Sequence, residues 1–595
     1  MGSGTLNPEG IDDLIDRMTL AEKIGQMTQV EVGSLRDGAV QALGIGSVLS
    51  GGGGNPTPND PKTWALMVRR IQDEALRSRL GIPILYGVDA VHGHNNLRGA
   101  TIFPHNVGLG ATRDDNLVER VAGITARELL ATNVQWTFAP ALSVPQDIRW
   151  GRTYEAFGQD PALVSSLGAA FVRGLKNGAA DSAGRHRRSV LAAPKHFVGD
   201  GGTAWGSASR YSWIPGWWQS HLPGRWQMDQ GDVQADEQIL RTVHLPPYQS
   251  AIAAGALSIM VSYSSWNGEK LHSHRYLLTE VLKGELGFDG FVVSDWLGVS
   301  QLHADFDEAV CLAINAGMDM VMVPHDYRRF MIAVEAGHES GLIPLSRIDD
   351  ACRRILSVKS RLGLFDDPFG DETLLPKVGS TAHRAVAREA VQKSQVLLKN
   401  EGGALPLSPH IAQLVIAGDA ADDIGLQCGG WTIEWQGERG ASTVGTSLLE
   451  AVAATVSPTT SVIYKPNGEF SEEETADVGI VVLSEQPYAE GEGDRDDLSL
   501  SADEVALVHR VRRRCTILVL VIYSGRPLII GEVLASCDAI VASWLPGTEA
   551  EGIADVLFGN AAFTGRLPLE WPRDMEQVRF RADAIPLFPL GYGLR

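Results

Sequence analysis

Short, almost unbroken apolar runs alternate with amphipathic stretches over the first 330 or so residues. Runs rich in Val, Ile, Leu and Ala at 45–49, 82–88, 134–142, 190–197, 257–263, 290–294 and 318–323 are bounded by Gly, Pro or Asp, and they read as strands buried on both faces. Between them apolar residues recur every three to four positions, which predicts helices over 64–80, 116–131, 162–175, 247–254, 277–286 and 306–316. The stretch from Leu14 to Gln29 has the same spacing, and Thr19 with Glu22 forms a capping-box pattern, so the chain is expected to open with helix. Repeated strand–helix units of this kind predict a parallel (β/α)8-like TIM barrel, with closure supported only by the number of units.

The alternation breaks at Gly363-Leu364-Phe365-Asp366-Asp367-Pro368-Phe369-Gly370, and Glu372 to Gly379 continues without periodicity. This places a barrel domain at 1–366, a linker at 367–380 and a second domain at 381–595. A helix over 382–397 and strands over 414–417, 461–464, 478–483, 516–523 and 539–544 predict an open α/β sandwich for that second domain. The fold class is therefore α/β in both parts.

Length alone, 595 residues, asks for roughly two to four domains. A net charge of −21 argues against nucleic acid or an anionic membrane as partner and leaves neutral or cationic small molecules. The five cysteines are scattered without a CxxC pair, so neither a disulfide framework nor a thiolate zinc site is expected. No apolar run approaches the roughly 18 residues of a membrane span. The opening Met1-Gly2-Ser3-Gly4 reads as an appended scar rather than a signal peptide, which makes the protein cytoplasmic as read, and periplasmic or secreted if a leader has been removed. Fourteen tryptophans supply many indoles for stacking on sugar rings or bases.

Candidate chemistry collects where the barrel strands end, the face that carries active sites in this architecture. The run Gly290 to Ser294 stops at Asp295-Trp296; 82–88 stops at Asp89, followed by His92 and His94; 190–197 delivers Lys195-His196; and 257–263 delivers Met260 and Tyr263. His92 and His94, one residue apart, point to opposite sides of an extended segment and lack a completing carboxylate or thiolate, so they read as loop histidines and no metal is expected. Lys195 is also in a position to form a Schiff base. In the second domain, Cys428 to Gly437 places Trp431 and Trp435 among glycines, and the strand at 478–483 exits into an acidic loop containing Glu485, Glu490, Glu492 and Asp494. Crowded like charges keep a carboxyl protonated, as an acid catalyst requires.

With these motifs in place the chain resembles glycoside hydrolase family 3, in particular its two-domain β-D-glucan exohydrolases and β-glucosidases. The resemblance runs from about Ile11 to Gly593. It is carried by Gly87-Val88-Asp89-Ala90-Val91-His92-Gly93, Trp150-Gly151-Arg152, Lys195-His196-Phe197, Ser294-Asp295-Trp296, the Gly430 to Gly437 loop, Pro487-Tyr488-Ala489-Glu490 and Phe588-Pro589-Leu590-Gly591-Tyr592-Gly593. It implies a retaining, exo-acting β-glucosidase or β-glucan glucohydrolase that needs no cofactor. Asp295 is then the nucleophile and Glu490 the acid/base, with Glu485 the rival acid. Asp89, Arg152, Lys195, His196, Met260 and Tyr263 would line the first sugar pocket, and Trp296 and Trp435 would clamp the next sugar. Arg152 and Lys195 would keep Asp295 ionised, and the site is expected in a cleft between the domains.

The expected partners are β-linked gluco-oligosaccharides or aryl and alkyl β-glucosides, with no nucleic acid and no membrane. Two departures stand out. Residues 203–230 are longer and richer in Trp (Trp205, Trp213, Trp217, Trp218, Trp226) than the family's usual loop, which bears on subsites beyond the first. The Gly-His-Gly pattern with the loop histidine of the family's β-N-acetylhexosaminidases and phosphorylases is absent after Lys195-His196, and no fibronectin-like third domain is expected after Arg595. The alternatives are a β-xylosidase, a Schiff-base aldolase using Lys195, and a non-catalytic sugar-binding protein.

Overall fold

The structure is a computed structural model that describes residues 6–178, 188–208, 226–580 and 585–595. Its packing falls into two compact units, one of Met1–Leu97, Ala122–Ser143 and Gly168–Val378, the other of Arg98–Val121, Val144–Leu167 and Gly379–Arg595. The sequence division took each domain as one unbroken stretch. Two early segments instead group with the second unit, because helix Asn106–Thr112 packs on helix Thr381–Ser394 and residues 148–155 are bonded to loops near 490 and 526.

In the first unit eight parallel strands form a ring: β1 Thr28–Glu31, β2 Ser47–Ser50, β3 Leu85–Val88, β4 Trp136–Thr137, β5 Leu191–Ala192, β6 Ser258–Met260, β7 Phe291–Val293 and β8 Val321–Met322. Neighbours pair in sequence order from β1 to β5, and β6 pairs with β7. Parallel bridges Phe197↔Val261 and Val293↔Met320 join β5 to β6 and β7 to β8, and β8 returns to β1 through Thr28↔Val321. The barrel is closed, as the strand count predicted.

The pattern missed β1. Residues 14–29 were expected as helical with a capping box at Thr19 and Glu22; the helices are Pro8–Arg17 and Leu20–Gln26, the second capped by that box, and only the last residues of the stretch depart from helix. Thr28 to Val30 then enter the barrel fully buried, with Gln29 Nε2 bonded to Ser47 Oγ at 2.9 Å. A short buried strand carrying Thr and Gln breaks neither periodicity, so spacing alone extended the helix through it.

At the N-terminal ends of the strands, Lys359 of helix Leu345–Arg361 is wholly buried and donates to Gln26 Oε1, Gly46 O and Pro83 O at 2.7, 2.9 and 2.7 Å. Those acceptors precede β1, β2 and β3, so one ammonium ties three strand entries together on the face opposite the candidate chemistry.

The second unit holds a six-stranded sheet in the order β9–β14–β13–β12–β10–β11, with β9 Val396–Asn400, β10 Gln413–Ala417, β11 Ser461–Tyr464, β12 Ala476–Ser484, β13 Cys515–Tyr523 and β14 Ala539–Trp544. All pairs are parallel except β9 with β14. β9 had been read as the end of a helix over 382–397; the helix ends at Ser394, and Val396 to Leu398 are buried in an antiparallel edge strand. Ser484 at the end of β12 pairs with Tyr523 at the end of β13, so the loops bearing Glu490 and Arg526 leave the sheet side by side.

Candidate active site

β7 ends at Val293, and Ser294-Asp295-Trp296 turns sharply away, with Leu297 in the left-handed region at φ 54°. The turn is held from beneath. The Asp295 N–H donates to His272 Nε2 at 3.0 Å, and the imidazole lies so close to Gly298 that a Cβ there would fall 2.3 Å from Nε2. Burial pushes the His272 imidazole down to about 3, so it is neutral, with Nδ1–H donating to the Ser262 backbone and Nε2 free to accept. The carboxyl is oriented in turn. Asp295 Oδ1 accepts the Trp296 N–H at 2.7 Å, and Oδ2 lies 3.5 Å from His196 Nε2.

His196 is held by a second carboxylate. Its Nδ1 is 2.8 Å from Asp200 Oδ2, which also accepts from Ser143 Oγ at 2.8 Å, while Asp200 Oδ1 accepts the Gly201 N–H at 3.0 Å. A base-orienting carboxylate behind an imidazole fixes which nitrogen faces forward, here Nε2 toward Asp295. Lys195 Nζ is 2.8 Å from Asp89 Oδ1, with the lysine buried and the aspartate partly open. Met260 is buried at the end of β6, where its backbone bonds Pro194 and Phe197, and the Tyr263 hydroxyl donates to Trp296 O at 2.5 Å. Trp296 is half-buried between Gly51, whose added Cβ would meet the ring at 3.1 Å, and the edge of His325 at 5.5 Å. Asp89, Lys195, His196, Met260, Tyr263, Asp295 and Trp296 thus all stand at the C-terminal ends of β3, β5, β6 and β7.

Lys195 is thus paired with Asp89, and His196 faces Asp295. His94 donates to or accepts from Thr132 Oγ1 at 3.0 Å and meets Trp64 edge-on at 5.2 Å, and burial holds it down to about 3. Among the described residues no cluster of three or more His, Cys, Asp or Glu is placed to hold a metal.

In the second unit Arg152 forms a bidentate, buried pair with Glu155, at 2.9 and 3.0 Å, and turns Nη1 to Glu490 Oε1 at 3.3 Å. A cation therefore adjoins Glu490, where the sequence had suggested only crowded carboxylates. Glu485 is committed elsewhere: its oxygens accept from Arg526 Nε at 3.2 Å, Tyr488 OH at 2.9 Å and Gly525 N–H at 3.0 Å. Both its oxygens serve the fold, whereas Glu490 is half-buried beside Arg152.

The loop 430–437 is bound to the same place. Gln436 Oε1 accepts the Ala489 N–H at 2.9 Å and Gln436 Nε2 donates to Ala489 O at 3.4 Å, so Trp435 is tied to the residue before Glu490. Of the two loop indoles, Trp431 is buried with the Arg152 guanidinium 6.0 Å from its ring, and Trp435 is half-buried. Nine described non-glycine residues have positive φ, and four of them are Leu297, Trp431, Ile433 and Glu490. Each costs about 1–3 kcal/mol and persists only where neighbours enforce it, which marks these loops as built for their geometry.

Residues 19–358 match the glycosyl hydrolase family 3 N terminal domain, and residues 395–595 match the family's C-terminal domain. The chain belongs to glycosyl hydrolase family 3. It is 33% identical to a lysosomal beta glucosidase of Dictyostelium discoideum over 98% of this chain and 75% of that protein. It is 30% identical to a beta-xylosidase of Formosa agariphila over 88% of this chain and 76% of the relative. A crystal structure of an exo-1,3/1,4-beta-glucanase from a Pseudoalteromonas species superimposes with a TM-score of 0.89 at 37% identity, covering all of this chain and 75% of that one.

Sequence reasoning missed Asp200 and His272, which hold His196 and Asp295 in the first unit, and Glu155 and Arg526, which hold Arg152 and the Glu490 loop in the second. Glu155 is three residues past Arg152 and Asp200 four past His196, spacings that local turns convert into contacts. His272, in the turn Leu271–Ser273, and Arg526, in the loop after β13, lie far in sequence from the groups they touch and gave no local signal. Trp205 and Trp226 are half-buried, while Trp213, Trp217 and Trp218 of the same loop lie outside the described residues.

Proposed function

We propose that this family 3 hydrolase removes glucose from the non-reducing ends of β-linked gluco-oligosaccharides and β-glucosides with retention of configuration. Asp295 attacks the anomeric carbon and Glu490 protonates the departing oxygen; Glu490 then deprotonates the water that releases the sugar. The observation that carries the reading is the Asp295 carboxyl itself. It is fixed at a buried strand end by a backbone N–H on Oδ1, with the His196 imidazole 3.5 Å from Oδ2, so the carboxyl is held in one direction as a nucleophile must be. Asp89 and Lys195 supply paired polar groups for sugar hydroxyls, and Trp296 and Trp435 offer indole faces, each worth on the order of 1 kcal/mol for a stacked ring.

The relatives named as β-glucosidase and exo-β-glucanase support glucose as the unit released, and the beta-xylosidase relative makes xylosides the second reading. Comparing kcat/KM on aryl β-glucoside and aryl β-xyloside decides between them. A slow 2-fluoro-glucoside should label Asp295, and Asp295→Asn should abolish turnover in a folded protein; a label on Asp89 instead would overturn the assignment. No described helix is long and apolar enough to cross a membrane. The cytoplasm, periplasm and exterior are distinguished by fractionating cells that express the native gene.

A further inference from the structure

We infer that Arg526 is a positioning residue for acid catalysis: a single buried guanidinium fastens the loop bearing Glu490 to the segment bearing Arg152, and so fixes where the Glu490 carboxyl stands. The inference rests on the assignment of Glu490 as the acid. Arg526 is 1% exposed, and its donors reach three separate stretches of chain. Nε bonds Glu485 Oε1 at 3.2 Å; Nη1 donates to the carbonyls of Ile148, Arg149 and Trp150 at 3.2, 2.9 and 3.4 Å; Nη2 donates to Gly493 O at 2.5 Å.

The three consecutive carbonyls belong to the turn that leads into Gly151-Arg152, and Gly493 closes the turn that begins at Glu490. Gly151 and Glu490 meet so closely that a Cβ on Gly151 would lie 2.0 Å from Glu490 O, and the Gly151 N–H donates to Asp494 Oδ1 at 2.9 Å. Neither segment is braced by a sheet or a long helix at this point. Glu485 completes the brace by holding the Tyr488 hydroxyl, and Tyr488 O in turn accepts from Tyr154 OH at 2.7 Å. The contact between Arg152 and Glu490 at 3.3 Å, and the left-handed backbone of Glu490, therefore depend on Arg526 keeping the two turns in register. A planar fork with five donors can serve four carbonyls and a carboxylate at once, which a lysine ammonium cannot.

The test compares Arg526→Lys, Tyr488→Phe and Glu490→Ala on two substrates: a β-linked glucose disaccharide, whose leaving oxygen needs a proton, and 2,4-dinitrophenyl β-glucoside, whose leaving group does not. Glu490→Ala should lower kcat/KM for the disaccharide by roughly 10²–10⁴-fold more than for the dinitrophenyl glucoside. Arg526→Lys should show the same bias by roughly tenfold or more, and Tyr488→Phe, which removes one hydroxyl and keeps the ring, the same bias at smaller size. Equal slowing of both substrates in a folded Arg526→Lys protein means that the residue serves stability alone and overturns the inference. So does an unchanged ratio in Tyr488→Phe if Arg526→Lys fails to fold. If Glu490→Ala itself shows no bias, the acid assignment falls, and the inference falls with it.

Discussion

His272 offers a stability test with a sign that reverses with pH. The histidine is buried and neutral, accepting from the Asp295 N–H and donating to Ser262, and its folded value of about 3 lies well below an ordinary histidine near 6.5. His272→Phe keeps the ring size and strands two buried backbone groups, at roughly 1–3 kcal/mol each, so a loss of about 3 kcal/mol at pH 7 is expected. Between pH 6.5 and 3 the unfolded wild type binds a proton on this residue and the folded form does not. Wild-type stability therefore rises with pH across that window, and falling pH removes about 1.4 kcal/mol per unit that the phenylalanine variant never loses. The two proteins should reach equal stability near pH 4 to 5, with the variant the more stable below. Urea midpoints at half-unit steps from pH 7 to 4 check this. A variant that stays less stable by a constant margin to pH 4 would refute a neutral His272 that accepts at Nε2. Because the lost bond aims the nucleophile, kcat at pH 7 should also fall, by roughly 10²-fold if Asp295 moves by about 1 Å.

Three further outcomes are expected. Glu155→Gln removes a negative charge on the far side of the Arg152 guanidinium from Glu490, so the alkaline limb of kcat/KM should move to lower pH; a limb that moves upward or stays in place contradicts the shared guanidinium. Burial pushes Lys359 down to about 7 against an unfolded lysine near 10.5, so the unfolded state binds more protons between those values, and the stability margin of wild type over Lys359→Met should widen as pH rises from 7 to 10, measured by urea midpoint. Trp435→Ala should raise KM for disaccharides about fivefold, taking on the order of 1 kcal/mol for stacking, and change KM for small alkyl glucosides less, as read by initial-rate kinetics.

The barrel was legible because seven of its eight strands are continuous apolar runs that end in turn residues, and a run of that kind needs no partner to be recognised. Thr28–Glu31 was not legible because its polar side chains find partners only on the neighbouring strand, as Gln29 does on Ser47, and pairing across strands leaves no trace in spacing. Val396–Asn400 was lost for the related reason that a short strand directly follows a helix with only Gln395 between them. The division of early segments between the two units was equally hidden. Whether Val144–Leu167 follows the barrel or the sheet depends on carbonyls at 148–150 meeting Arg526, a contact across 376 to 378 residues.

For the candidate site, strand ends and motif glycines pointed to the residues offered to substrate, whereas the charges that tune them came only with the structure. Within the first unit Lys195 is paired with Asp89, and His196 stands between Asp200 and Asp295. Within the second, Arg152 stands between Glu155 and Glu490, and Arg526 is paired with Glu485. Each of these basic groups is thus held by a carboxylate, and two of them are shared with a second one. That arrangement suits glycoside cleavage, whose transition state builds positive charge on the sugar and is stabilised by fixed negative charge, and it penalises anionic ligands. A site meant to grip phosphate or carboxylate would instead leave its arginines and lysines in surplus. The same excess of acid over base appears in the net charge of −21.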